Sequence, residues 1–462
     1  MKPIYAPTTD SALERGPNAL RFELFGRFFG IAITAHVVGN WSQPDIPAAV
    51  GWVNLAVGMM GLALLLKPSR SLLLMSSALV VASVLLEMPI TGNHWLVAGL
   101  VATAILVTRG DENRYFPAAR LILLVFYGFA AFAKLNSGFF DPTVSCAVFY
   151  ANQSLGSFGL PSVDVAGLAA RTLIWATVMI ETAVPITLMW RRTRYFGVLL
   201  GTVFHTFISF DLDQHFYDFT AVLIALFVLF LPDRSIEIIS EQLAEISRRK
   251  LVPGKPLAGL IGVLLLLSVF ALTPVTAFLL SRIPFVFWVP FSLLWVAALV
   301  RARAPGSKMS WTPGVAGAVV VLVTMLNGLT PYTEIKTAYS FNMYANLVTS
   351  QGESNHFLVR STLPLRNGYE GPVEILESSD AGLNAYRDEG YLVAFPQLRR
   401  YLSVRPEASL TYSRNGEVTS LAEVSSAPEL VDPGPWWWRF FPLRAIDTRN
   451  PPLCQAAFLG AL

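Results

Sequence analysis

The chain has 462 residues, 54% of them apolar and only 14% Asp, Glu, Lys or Arg, against about 25% charged in an ordinary soluble domain. A surface that poor in charge excludes a string of water-soluble domains, and a net charge of +3 with no basic block excludes nucleic-acid binding. The deficit is uneven: residues 1–330 carry 40 charged side chains and residues 331–462 carry 25.

Residues 1–21 form a polar N-tail without an apolar run and a small-residue cleavage site, so the first apolar segment is expected to stay in the mature protein. Eleven stretches near membrane-crossing length follow, at 22–41, 46–66, 71–88, 93–108, 118–134, 166–190, 195–211, 216–231, 256–281, 283–301 and 312–330. The expected fold is an α-helical polytopic membrane protein of about 11 transmembrane helices. Residues 22–330 form its membrane domain and residues 331–462 a small C-terminal α+β domain.

Lys and Arg collect on the cytoplasmic side of membrane proteins. Alternate loops here, from the N-tail to Arg301, Arg303 and Lys308, hold 19 of them, and the opposite loops hold Lys134, Arg171 and Arg282. That imbalance predicts a multi-pass protein of the cell membrane, with a cytoplasmic N-terminus and an extracytoplasmic C-terminal domain. In the loop after 216–231, Ile236, Ile239, Leu243 and Ile246 share a helical face opposite Glu237, Glu241 and Glu245, the pattern of an interfacial helix.

The C-terminal domain is expected to place strands near 356–361, 372–376, 391–395 and 409–413, and helices near 379–387 and 396–403. Its aromatic run Trp436, Trp437, Trp438, Phe440 and Phe441 either dips into the membrane interface or fills the domain's own core. The two cysteines, Cys146 and Cys454, both fall on the outer side, where they are either disulfide-bonded or separate buried thiols.

All five histidines, His36, His94, His205, His215 and His356, fall in the outer half or outside. Within the spans the other ionisable groups are Arg27, Glu87, Lys134 and Glu181. Such groups are costly in hydrocarbon and tend to face a cavity or a partner. At 1.5 Å per residue, His205 and Glu181 both lie about 15 Å deep. Pro185, four residues after Glu181, removes a helical donor and is expected to kink that span. Lys134 either snorkels to the headgroups or points into an apolar pocket, where desolvation would favour the neutral amine that a general base requires. Asp211, Asp213, His215 and Asp218 match no metal loop and read as a solvated acidic segment. No metal site is expected, and no nucleotide loop, nucleophile elbow or Cys-x-x-Cys motif is present.

Four short segments, in order, resemble the HTTM (horizontally transferred transmembrane) superfamily, which includes the vitamin K-dependent γ-glutamyl carboxylases. They are Gly92-Asn93-His94; Phe132-Ala133-Lys134-Leu135-Asn136; Phe204-His205-Thr206 leading to Phe210, Phe216 and Tyr217; and Ser340-Phe341-Asn342-Met343-Tyr344-Ala345-Asn346-Leu347 with Ser354-Asn355-His356. The likeness spans most of residues 20–360. It implies a reduced quinone of the vitamin K or menaquinol type as cofactor, reached from the lipid bilayer, and an extracytoplasmic peptide or protein substrate. Lys134, His94 and His205 take the catalytic positions, and His36, Glu87, Asn136 and Glu181 are expected to bind the cofactor. The sequence departs from the carboxylases at Asn136, where they carry aspartate, and at Ala133, where they carry a second lysine. The reading is thus a quinol-linked carboxylase or oxygenase; the alternative is a non-enzymatic membrane protein, either a transporter or a peptide-handling or export factor.

Overall fold

A computed structural model describes residues 16–40, 48–89, 91–214, 216–248, 274–366, 368–369 and 371–454. It is mostly helical. In chain order come α1 (Pro17–Asn40), α2 (Ala48–Leu66), α3 (Arg70–Glu87), α4 (Asn93–Val107) and α5 (Glu112–Ala133). Two short helices, α6 (Ser137–Phe140) and α7 (Cys146–Ser157), precede α8 (Leu168–Met189), α9 (Arg194–Ile208), α10 (Phe216–Val228), α11 (Asp233–Arg248), α12 (Pro274–Arg301) and α13 (Gly314–Leu329).

Among the described residues, six helices are long and apolar enough to cross a membrane: Pro17–Gly39, Arg70–Glu87, Glu112–Ala133, Leu168–Met189, Arg282–Arg301 and Gly314–Thr333. Val50–Leu66, Asn93–Val107 and Phe216–Val228 are apolar but shorter. The turn expected at residue 282 does not form, because α12 continues through Pro284 and Pro290. Proline of this kind is tolerated within apolar helices when neighbouring groups satisfy the freed carbonyl. Most of the expected stretch 256–281 lies outside the described residues.

Contacts divide the chain into two compact units. The first comprises Met1–Ser83, Ala98–Leu123 and Ala183–Val320. Within it α1 packs on α2 and α10. Gly30 and Gly61 set the α1–α2 approach, since a Cβ on Gly30 would stand 2.6 Å from the Gly61 carbonyl oxygen. Small residues of this kind let helix backbones meet without a hydrophobic drive. The amphipathic helix expected after 216–231 is α11, with Ile236 and Ile239 buried and Leu243 exposed.

The second unit comprises Val84–Val97, Leu124–Thr182 and Val321–Leu462. After α13 the chain forms a two-stranded ladder, β1 (Thr349–Ser350) with β2 (Glu353–Ser354), and then a five-stranded antiparallel sheet. That sheet runs β6 (Glu417–Leu421), β5 (Leu410–Arg414), β3 (Val373–Ser378), β4 (Tyr391–Val393), β7 (Ile446–Asp447). Alternation along β3 buries Val373 and Ile375, as expected of a strand with one covered face. Leu383 on α14 (Ala381–Asp388) and Leu398 and Leu402 on α15 (Phe395–Leu402) close the core over them. Asp380 caps α14 through the Leu383 amide at 3.0 Å.

Two expectations change here. Residues 356–361 are not a strand of this sheet: the Phe357 amide donates to the Leu135 carbonyl, and His356 bridges to Asn136, so this backbone is satisfied by the turn after α5. The aromatic run also does not fill the core. None of the residues Trp436–Phe440 is buried, and Trp436 is 76% exposed. Arg439 fastens this turn to the end of α3, with Nη2 donating to the carbonyls of Leu85 at 2.9 Å and Leu86 at 2.6 Å.

Candidate functional site

Lys134 follows the last turn of α5 and is only 4% exposed. Its Nζ lies 2.8 Å from Glu181 Oε2 on α8, both in the second unit. The amine therefore does not snorkel to a surface. It also lies 3.4 Å from the Ala130 carbonyl and 5.8 Å from the centre of the Phe139 ring. Glu181 Oε2 is buried and, although close to the amine, has no aligned hydrogen bond. As ammonium and carboxylate the pair is inert as a base. Transfer of one proton from Lys134 to Glu181 gives a neutral amine beside a carboxylic acid, which can accept a proton from a bound acid.

Asn136 sits at the centre of the second unit's polar network and is fully buried. Its Nδ2 donates to the carbonyls of Ala133 at 2.8 Å and Ala345 at 2.5 Å. Its Oδ1 accepts from the Phe139 amide at 2.9 Å, capping α6, and from Asn355 Nδ2 at 3.3 Å. All four hydrogen-bonding positions of the carboxamide are therefore used by the protein. A carboxylate could make only two of them, which accounts for asparagine here.

The segment 337–347 is tied down in the same way. Tyr339, Phe341, Tyr344 and Asn346 all have φ between 51° and 63°, a left-handed conformation costing roughly 1–2 kcal/mol for a residue with a side chain. Asn93 Oδ1 accepts from the Phe341 amide at 2.8 Å. Asn346 Oδ1 accepts from the Cys146 amide at 2.9 Å, and its Nδ2 donates to Val144 and Pro452 carbonyls. The His356 Nδ1 accepts from the Leu358 and Val359 amides, both at 3.1 Å, while Nε2 faces the Phe132 carbonyl at 2.9 Å. Those partners place the proton on Nε2, and burial holds the imidazole below its ordinary value. His356 is a fastening, not a proton carrier. Three of the four sequence segments singled out above thus meet through Asn93, Asn136, Asn355 and His356. The sequence contained these residues in its motifs without indicating that they hold the segments together.

Glu87 and His94 belong to the same unit. Glu87 Oε2 accepts from Thr91 Oγ1 at 3.5 Å. The His94 ring folds over Gly92, where a Cβ would come within 2.7 Å of Cε1. His36 and His205 belong to the first unit. His36 Nδ1 lies 3.7 Å from Asp218 Oδ2, both buried. His205, also buried, packs edge-on against Phe204 and Phe219, and its carbonyl accepts from Thr220 Oγ1. Asp211 and Asp218 are not solvated: they are 0% and 4% exposed. Asp211 Oδ1 takes the amides of Asp213 and Gln214, and Asp213 pairs with Arg282 at 3.0 Å. Intrasegment caps and partners, invisible in composition, replace water. His215 lies outside the described residues.

Lys336 carried no sequence signal, yet it is 4% exposed and donates to Asn327 Oδ1 at 2.8 Å. Burial pushes its amine down to about 7. An unfolded lysine titrates near 10.4, so between about pH 7 and pH 10 the unfolded chain holds a proton that the folded chain has lost. Stability therefore rises with pH across that window, and the full deficit, about 4–5 kcal/mol, is present below pH 7. Lys336→Met is expected to flatten this dependence. Denaturation midpoints at pH 6.5 and pH 9.5 check it; a wild-type protein whose stability changes no more than that of Lys336→Met between them contradicts it.

Cys146 at the start of α7 and Cys454 form a disulfide across 308 residues, with Cα atoms 4.9 Å apart. Cleavage at a protease site inserted in the irregular loop 303–313 should leave both fragments migrating together without reductant and apart with it. In Cys454→Ser they should separate in either case.

No protein-family model, curated protein or solved structure matches the chain.

Proposed function

We propose that the chain is a multi-pass membrane protein that uses Lys134 and Glu181 as a proton-handling pair on a lipid-soluble quinol, in the manner of the vitamin K-dependent carboxylases it resembles. The observation that carries this reading is the convergence of Asn93, Lys134, Asn136, the left-handed segment 339–346 and His356 within one unit, around a buried amine paired with a carboxylate that is 12% exposed. Left-handed residues held by several side chains are characteristic of sites where geometry is maintained for function. The residues fit a quinol: the Lys134 amine and the Glu181 carboxylate are close enough to exchange a proton, and Phe139 supplies an aromatic wall.

A bound quinol would supply reducing equivalents and, on reaction with oxygen, a strong base. Of the chain's own groups, Glu181 would hold the proton released from Lys134, and Lys134 would take the quinol hydroxyl proton. His94, in the same unit, would stabilise the charge that results. The extracytoplasmic placement of the C-terminal domain is supported by the Cys146–Cys454 disulfide, which persists in oxidising compartments. The sorting of Lys and Arg to alternate loops supports the same orientation.

The test is incubation of the full chain in lipid with reduced naphthoquinone, oxygen, labelled bicarbonate and glutamate-containing peptides. Label in peptide from wild type and none from Lys134→Ala is expected. No label from wild type, together with proton-linked substrate uptake by vesicles containing it, would establish the transport reading instead.

A further inference from the structure

A cavity of about 440 Å³ lies within the first unit. Gly16, Pro17 and Asn18 at the start of α1 line it, with Glu112 and Asn113 at the start of α5 and Lys308 and Ser310 from the loop before α13. Arg21 and Arg120 also line it, and they are 2% and 4% exposed. A third buried arginine, Arg194, lies close enough to repel both.

The charges do not balance. Arg21 Nη2 reaches Asp233 Oδ1 at 2.9 Å, and the remaining guanidinium bonds go largely to backbone carbonyls. Arg21 donates to Leu231, Arg120 to Leu229 and Ser310, and Arg194 to Leu188 and Ser307. Glu112, on the wall, is the cavity's other carboxylate. On the cavity wall, Arg21, Arg120 and Lys308 thus face two acids, Asp233 and Glu112. Arg21 Nε is buried with no hydrogen-bond partner. A buried charge without a counter-charge is costly, and the guanidinium fork matches the oxygens of phosphate.

We propose that this cavity binds a phosphate group, presented either by an anionic lipid headgroup or by a soluble phosphate. The cavity lies at the starts of α1 and α5, helices long and apolar enough to cross a membrane, and headgroup phosphates lie at such helix ends. Basic pockets between spans are a recurrent means of holding anionic lipids.

The test measures the thermal midpoint of the full chain in detergent. One arm compares added phosphatidylglycerol with phosphatidylcholine, and another compares sodium phosphate with sodium chloride at equal ionic strength. Ligand that binds only the folded state raises the midpoint. Lys308 is exposed, so Lys308→Ala should fold normally and still reduce the anion-dependent rise by half or more. Arg120→Lys, which keeps the charge but loses the fork, should do the same. A rise with phosphatidylglycerol alone assigns a lipid headgroup, and a rise with inorganic phosphate assigns a soluble ligand. No rise in either arm, or a rise unchanged in both variants, overturns the proposal.

Discussion

Glu181→Gln is expected to destabilise the protein by about 3–5 kcal/mol, because it leaves the Lys134 ammonium buried without its counter-charge. Lys134→Ala strands the carboxylate in the same way. The double change Lys134→Met with Glu181→Leu should recover most of the loss, since replacing both members of a buried pair by apolar groups of similar size is often neutral or stabilising. Chemical denaturation of the three variants in one detergent checks this. Additive losses in the double variant would mean that the two groups do not depend on one another. Activity should separate from stability: the stable double variant would be inactive, because neither the proton acceptor nor the amine remains.

Asn136→Asp is the second change of large effect, and it introduces the residue the carboxylases carry at that position. A carboxylate cannot donate, so the carbonyls of Ala133 and Ala345 lose their partner and face a negative charge at a fully buried position. The expected cost is on the order of 3 kcal/mol or more. Asn136→Ala removes the same bonds without adding charge and should cost less. A variant Asn136→Asp as stable as wild type, by thermal or chemical denaturation, would contradict the network drawn around this side chain.

The helices were legible in the sequence because length and apolarity are both local properties. The expected ranges 22–41, 71–88 and 166–190 correspond to α1, α3 and α8 within a few residues. The ends of α12 were not legible: a lone Arg282 beside Pro284 looks like a turn, but its partner is Asp213, far away in sequence. Arg21, Arg120 and Arg194 counted equally with exposed loop cations in the charge asymmetry, although all three are buried. Burial of a cation depends on which carbonyls surround it, and no periodicity records that.

The candidate site was legible in part. Lys134 stood out because a lysine on the side poor in positive charge needs a reason, and Glu181 because an acid inside an apolar span does. Their pairing joins α5 to α8 across 47 positions and has no signature in either segment. The role of Asn136 follows from counting its four bonds, which requires coordinates. Lys336 was the least legible: it sits in the polar run Thr333-Glu334-Ile335-Lys336-Thr337, the composition of an exposed loop, and only the packing around Asn327 buries it.

The proton-handling role of Lys134 is tested most directly by the oxygen-dependent oxidation rate of a reduced naphthoquinone with the purified full chain in lipid. Lys134→Ala should lower that rate by about 10²–10⁴-fold. Added methylamine, entering the space left by the side chain, should restore part of it in proportion to the free-base concentration. A wild-type rate no greater than that of protein-free lipid, or a Lys134→Ala rate equal to wild type, would contradict the account.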